Sequence, residues 1–298
     1  MIQSHLGEFA ALAVAIFWTI TALAFESASK AVGSLAVNLI RLITGFIFLT
    51  VFAWIYRGIP LPTDASTYNW AWLSFSGLIG FVLGDLFLFK SYTIVGSRMA
   101  MLIMTLAPPI TAVTGYFFLD EKLSVNSIIG ICITFAGIAI AVVSHNPEQE
   151  KLRLNMPVKG FLYALGGAMG QAFGLVLSKK GMNGYDAFAA TQIRIITGIV
   201  GFTVLVILMG RTRQVLKACT HKKGMTGITI GSFFGPFLGV SLSLVSVKYT
   251  ASGIAATIMA TIPILIIAPS VIIFKQKITV KEIIGAVISV VGVAFFFI

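Results

Sequence analysis

Asp85 is the residue in this chain best placed to do chemistry. It lies in Gly84-Asp-Leu-Phe-Leu-Phe-Lys90, inside a long apolar run, and is read as the only carboxylate more than a few residues from the end of such a run. An ionisable group in hydrocarbon costs from about 2.5 kcal/mol upward, so it faces a bundle interior or water and marks a pathway. Arg41 is a plausible partner. It lies seven residues into another apolar run, and at about 1.5 Å per residue the two depths agree within roughly a turn. Asp85 then either takes up a proton or a cationic group of a substrate, or forms a fixed pair that only neutralises a necessary arginine.

Other residue types repeat in pairs. Arg194 stands in the second half where Arg41 stands in the first. Each arginine either gates one membrane face or snorkels to headgroups with its stem in lipid, the latter being cheap near a helix end. Pro108-Pro109 and Pro263 each remove a helical hydrogen bond and kink the helix, leaving carbonyls that need a neighbour or a watery cavity. Met101, Thr105, Pro108 and Ala112 share one helical face, and Ala256, Ala260, Pro263 and Ile267 share the matching one. These faces are expected to line a cavity, with Met104 and Met259 nearby; the bland alternative is a simple bend. Trp18 corresponds to Gln171, an aromatic face and an amide that suit an amphipathic ligand or simply pack and bond between helices. The glycine pairs Gly80/Gly84, Gly231/Gly235 and Gly235/Gly239 have the four-residue spacing that permits close helix approach.

The elements that must position these residues are membrane helices. Of 298 residues, 58% are hydrophobic and 10% charged, against about 25% charged in a soluble domain; the mean hydropathy is +0.99. Apolar runs fall at about 7–25, 34–56, 69–90, 98–118, 125–143, 158–178, 187–209, 225–247, 250–274 and 280–298, each near the roughly 20 residues a crossing needs. The first run has no charged leader or cleavage site and reads as a retained helix. The net charge of +11 is scattered among loops, so it speaks for topology and against nucleic-acid binding. Cys132 and Cys219 suggest no disulfide framework. His5, His145 and His221 lie outside the runs and far apart, so no metal site is read. No P-loop is present, which argues against an ATP-driven mechanism, and no cofactor is implied.

The ten runs form two copies. Gly7 to Gly45 matches Gly160 to Gly198 at an offset of 153, laying Arg41-Leu-Ile-Thr-Gly45 over Arg194-Ile-Ile-Thr-Gly198. Further on the offset is 155, placing Gly80, Gly84, Met104, Pro108, Lys122, Gly130 and Gly137 on Gly235, Gly239, Met259, Pro263, Lys277, Gly285 and Gly292. Val240 then mirrors Asp85, confining acid chemistry to one half. The expected fold is an all-α polytopic membrane protein of ten transmembrane helices: a first five-helix repeat at 1–146, a loop at 147–157, and a second repeat at 158–298. Because five is odd, the second copy is inverted, the architecture of many secondary transporters. Fourteen Lys and Arg fall on the side of the loop after the first run and five on the other, which by the positive-inside rule places both termini outside the cytoplasm.

These features resemble the EamA-like branch of the drug/metabolite transporter superfamily over essentially the whole chain. The resemblance rests on Trp18, Asn38-Leu-Ile-Arg41, Ser97-Arg98, Pro108, Leu119-Asp-Glu121-Lys-Leu-Ser124 and Gly130/Gly137; in the second half Phe274-Lys-Gln276-Lys-Ile-Thr279 stands where the acidic turn would be. It implies a ten-helix carrier in the cytoplasmic membrane of a bacterium or archaeon, usually an exporter of amino acids, related metabolites or drugs, with its cavity between the halves. It also implies termini in the cytoplasm, opposite to the charge count, so orientation stays open. The reading is a secondary transporter, not an enzyme, working by alternating access with Asp85 as a possible proton site. A channel or a lipid flippase is the alternative. The expected substrate-binding residues are Trp18, Asp85, Met101, Thr105, Gln171 and Met259, with Asp85, Arg41 and Arg194 for coupling or gating. The expected partners are a small-molecule substrate and membrane lipid, with the protein a monomer or weak homodimer.

Overall fold

The computed structural model describes residues 6–121, 125–146, 151–154, 156–275 and 278–295. Of the residues singled out above, His5, Lys122, Ser124, Gln276 and Lys277 lie outside them. The first half runs α1 (Leu6–Val32), α2 (Ser34–Arg57), α3 (Thr67–Gly77), a π-helical segment (Leu78–Gly84), α4 (Asp85–Ile103), a 3₁₀ turn (Met104–Leu106), α5 (Ala107–Leu119) and α6 (Val125–Val142). The second runs α7 (Val158–Met182), α8 (Ala187–Leu208), α9 (Thr212–Cys219), α10 (Lys222–Ser232), a second π-helical segment (Phe233–Gly239), α11 (Val240–Tyr249), α12 (Ser252–Met259), α13 (Ile262–Leu265), α14 (Ile267–Phe274) and α15 (Val280–Ala294).

Among the described residues six helical stretches, Leu6–Val32, Ser34–Arg57, Thr67–Leu119, Val158–Met182, Ala187–Leu208 and Lys222–Tyr249, are long and apolar enough to cross a membrane. The 53-residue stretch Thr67–Leu119 would span about 80 Å if straight, far beyond a hydrocarbon core of about 30 Å. Gly96 (φ 79°, ψ 163°) interrupts it, a conformation without steric cost only for glycine. Ile47, Val51, Trp54 and Ile55 of α2 and Val200, Val204, Ile207 and Leu208 of α8 face outward uncovered. Apolar surface in such continuous bands belongs against lipid. The chain is a multi-pass membrane protein.

The register of the internal repeat reappears in the backbone. The two π-helical segments start at Leu78 and Phe233 and end at Gly84 and Gly239, 155 residues apart at both ends. Each ends in an i→i−5 bond, Asp85 N–H to the Gly80 carbonyl and Val240 N–H to the Gly235 carbonyl. Pro108 and Pro263 sit in the first turns of α5 and α13. There the missing N–H costs nothing, so each proline starts a new helical segment after a tight turn instead of kinking a continuous one.

Glycines bring different halves into backbone contact. A Cβ on Gly170 would lie 2.4 Å from the Gly84 Cα, and one on Gly174 would lie 2.9 Å from the Gly80 Cα. At the α6–α15 crossing, a Cβ on Gly137 would meet the Ser289 nitrogen at 2.5 Å, and one on its repeat mate Gly292 would meet the Thr134 nitrogen at 2.5 Å. The α2–α3 and α7–α8 connections meet in a polar cluster. There Arg57 pairs with Asp64 at 2.5 Å and the Tyr185 hydroxyl donates to Asp64 Oδ1 at 2.7 Å. Burial and the bond to Asp64 push that hydroxyl up to about 12, so it stays protonated and donating at any physiological pH.

Two segments differ from the sequence expectation. The inter-repeat stretch pairs Val143–Asn146 with Lys151–Leu154 as an antiparallel hairpin, β1 with β2, so the described fold is not purely helical. The basic connection after α8 contains the short α9, whose Ala218 is buried while Arg213 and Lys217 point outward. Gln214 Nε2 fastens it to the Val32 carbonyl at 3.2 Å.

Replacing Gly170 with Val inserts side-chain atoms where two backbones touch, and is expected to cost about 1–3 kcal/mol or more. Ile47→Leu on the lipid face should leave stability unchanged. Thermal unfolding of the two purified variants in one detergent separates them.

Candidate functional site

A cavity lies between the halves, with about 890 Å³ unfilled by atoms including its open part. Trp18 of α1 and Gln171 of α7, repeat mates, both line it. Met101, Met104, Thr105 and Pro108 line it from the first half, and Ala256, Met259, Ala260 and Pro263 from the second. Ala112 and Ile267, the outermost members of the two expected faces, do not. Thr21, Phe25, Tyr92 and Thr111 also line the cavity and were not singled out in the sequence. Their helical spacing to Trp18, Asp85 and Pro108 was the available signal.

Asp85 enters this space at the end of the first π-helical segment, where the i→i−5 turn re-aims the following side chain. An Arg41 guanidinium N–H donates to Asp85 Oδ2, and both side chains are nearly buried, 4% and 12% exposed. Arg41 Nε also donates to Asn38 Oδ1 at 3.1 Å, and Asn38 Nδ2 donates to the Asp85 carbonyl at 3.3 Å. The Asn38…Arg41 spacing thus works as a clamp, holding side chain and backbone of Asp85 together. Phe25, Phe81 and Phe89 surround the guanidinium at 5.7, 5.7 and 4.7 Å, and such faces attract a desolvated cation.

Arg194 departs from expectation. It is 4% exposed, so it does not snorkel, and Arg41 at 3% does not either. Its guanidinium lies 4.7 Å over the Phe81 ring, which therefore touches both arginines. The repeat relates the two arginines, yet the close approach at Gly80 and Gly174 draws the Arg194 head between the halves. It is not a lining residue of the cavity. Its Nε has no hydrogen-bond partner, and among the described residues no carboxylate lies within ion-pair distance. The buried cluster holds two guanidinium groups for one carboxylate.

Glu26 corrects the reading that Asp85 is the sole deep carboxylate. Placed just past the first apolar run by hydropathy, it falls inside α1 and is fully buried. Its partners are Ser97, whose N–H donates to Oε2 at 2.7 Å and whose hydroxyl donates to the same oxygen, and Lys30, whose Nζ donates to Oε1 at 2.5 Å. Glu121, noted above only as part of a turn motif, accepts from Lys179 Nζ and the Ser252 hydroxyl, each at 2.9 Å. The register relating Ser97 to Ser252 and Glu26 to Lys179 was readable in the sequence.

The charge inventory makes a prediction. Asp85→Asn leaves two buried cations without an anion, whereas Arg41→Gln leaves Asp85 near the Arg194 charge. Removing one member of a buried pair costs about 3–5 kcal/mol. Asp85→Asn is expected to reach that range and Arg41→Gln to fall below it, in thermal unfolding of the purified variants; the reverse order would overturn the inventory.

Comparison with known proteins agrees with this architecture. A crystal structure of another protein, 17% identical, superposes with a TM-score of 0.64 over 99% of this chain and 96% of that one, a likeness of fold alone. An uncharacterized transporter of Clostridium kluyveri is 25% identical over 179 residues, spanning 59% of this chain and only 56% of that relative. Residues 5–143 and 158–298 each match the EamA-like transporter family, one match per repeat. The chain belongs to the EamA-like transporter family.

Proposed function

We propose that this protein is a secondary carrier that moves small metabolites by alternating access between two inverted five-helix halves. The cavity carries the reading: repeat-related positions of both halves, Trp18 with Gln171 and Pro108 with Pro263, wall one space. Ten crossings account for the chain. In the first half they are α1, α2, the stretch before Gly96, the stretch from Ser97 through α5, and α6. In the second they are α7, α8, α10–α11, α12–α14 and α15. Five crossings per half invert the second copy, and rocking of one half against the other exposes a midplane site to each face in turn. The protein acts as a monomer or weak homodimer, with lipid and a small substrate as its partners.

The substrate is a small metabolite such as an amino acid or a drug-like compound. Aromatic and methionine walls accept its apolar part. Arg41 lines the cavity, and with Arg194 buried behind it the cluster holds two guanidinium groups for one carboxylate. This favours a molecule bearing a carboxylate over a purely cationic one, since a buried charge needs a counter-charge. Asp85 is the candidate proton site: protonation removes the anion that holds Arg41 and frees the guanidinium for substrate. Export across a bacterial or archaeal cytoplasmic membrane rests on the family resemblance. An enzymatic reading has less to stand on, because Asp85 is the one carboxylate among the cavity-lining residues and no His, Cys or Lys joins it.

The test is counterflow of a labelled amino-acid and metabolite panel in proteoliposomes, with and without an imposed pH gradient. Saturable exchange is expected, and Asp85→Asn, normalised to folded protein, should uncouple it from the gradient. Undiminished gradient-driven exchange in the variant would make the Arg41–Asp85 pair purely structural. No exchange by folded wild type across the panel would overturn the carrier reading in favour of a channel or lipid flippase.

A further inference from the structure

Two carboxylates stand one helical turn beyond the cavity, at its opposite ends, and the substrate site uses neither. At one end Gly96 breaks the helix, so the N–H groups that follow lack intrahelical acceptors. Glu26 Oε2 accepts the Ser97 N–H and hydroxyl there, and Oε1 accepts from Lys30. At the other end, α12 starts at Ser252, and Glu121 Oε1 accepts from its hydroxyl at 2.9 Å and its N–H at 3.4 Å. The same oxygen takes Lys179 Nζ, which also bonds the Thr250 carbonyl at 3.2 Å.

The repeat relates these ends. Ser252 is the mate of Ser97 at the offset of 155, and Lys179 is the mate of Glu26 at the offset of 153. Positions 26 and 97 meet at one end, and positions 179 and 252 at the other. Four residues inward from each are Ala22 and Met101 at the first end and Leu175 and Ala256 at the second, and all four line the cavity. Only the origin of the carboxylate differs: α1 supplies it at the first end, whereas at the second α7 supplies a lysine and the residue after α5 supplies the acid.

We propose that these are the two gates of the carrier: Glu26–Ser97 shuts one end of the cavity, Glu121–Ser252–Lys179 shuts the other, and each transport step opens one while the other holds. This rests on the alternating-access reading above. Charge-assisted bonds to backbone N–H groups are about twice as strong as neutral ones and gain strength in a dry, low-dielectric seam. Once water enters, it replaces them at little cost, so each contact holds firmly when shut and gives way when wet. The Glu121 contact joins the halves directly. At the Glu26 end the cross-half link is Arg98 to Glu282 at 2.8 Å, carried on the helical start that Glu26 holds. Glu26 and Glu121 are thus positioning residues; they do not touch substrate.

The test needs no known substrate. In the full-length protein, Cys132→Ala and Cys219→Ser remove the native thiols and Met104→Cys places one in the cavity wall. A charged, membrane-impermeant maleimide is then added to one face or the other of oriented vesicles. Glu121→Gln is expected to raise labelling from the face nearest Glu121 roughly tenfold, the value of one charged hydrogen bond, and to lower it from the opposite face. Glu26→Gln should do the reverse. Ser252→Ala and Ser97→Ala should give the same two directions at smaller size, and they serve if either carboxamide variant fails to fold. A merely structural role would move labelling from both faces alike. Wild type labelled from both faces but insensitive to all four variants would overturn the gates and spare alternating access. A thiol reached from one face only, in wild type and every variant, would overturn alternating access itself.

Discussion

Backbone contact between the halves sets the spacing of the other elements. Where Gly84 meets Gly170 and Gly80 meets Gly174, no side chain stands between α7 and the π-helical turn that leads into α4. Without a hydrophobic driving force between helices in lipid, such close packing is a principal source of cohesion. The same contact has an electrostatic consequence. Beside it the buried Arg194 guanidinium lies against Phe81 and Gly80. The cavity is what remains beside this seam, where Trp18, Gln171 and the broken helices around Pro108 and Pro263 cannot close the gap.

The seam confines three charges to a region that would otherwise be apolar. Arg41 and Asp85 neutralise each other, and Asn38 fixes both, so this pair behaves as one polar unit. Phe81 carries the remaining burden, with the Arg41 and Arg194 guanidinium groups 5.7 and 4.7 Å from its centroid. A ring quadrupole offers a cation about 2 kcal/mol when desolvated, less than a full counter-ion would. The arrangement therefore leaves one guanidinium without an anion, and on the proposed carrier reading this connects packing to substrate chemistry.

Much of this was legible in the sequence, for a physical reason. An internal duplication repeats backbone needs, and glycine and proline report those needs directly; hence the offset of 155 matches the paired helix breaks, and it matches Gly137 with Gly292, which the structure places at the α6–α15 crossing. Cavity residues were legible because helical spacing from a proline or a buried acid marks a face. Depth was not legible. Hydropathy ended the first run before Glu26, although a carboxylate that accepts two bonds from a helix start can be buried entirely. For Arg194 the sequence left gating and snorkelling open: nearness to a helix end permits snorkelling, but only tertiary packing decides whether lipid or another helix lies beside it, and here it buries the guanidinium.

Duplication gives two equivalent halves, and transport of a polar molecule needs them to differ. The differences are few and they sit on an otherwise conserved frame. Both π-helical segments end at the same register, so both present the next side chain to the cavity; one presents Asp85 and the other Val240. Trp18 and Gln171, repeat mates, both line the cavity, and Glu26 exchanges with Lys179 at the ends. Each substitution changes charge or polarity while leaving the backbone path intact, because the path is dictated by glycines, prolines and the i→i−5 turns. On the alternating-access reading proposed above, a repeat built this way would keep two arrangements of similar packing and bias them through a handful of side chains, the condition under which binding of one small molecule or proton shifts the balance between them.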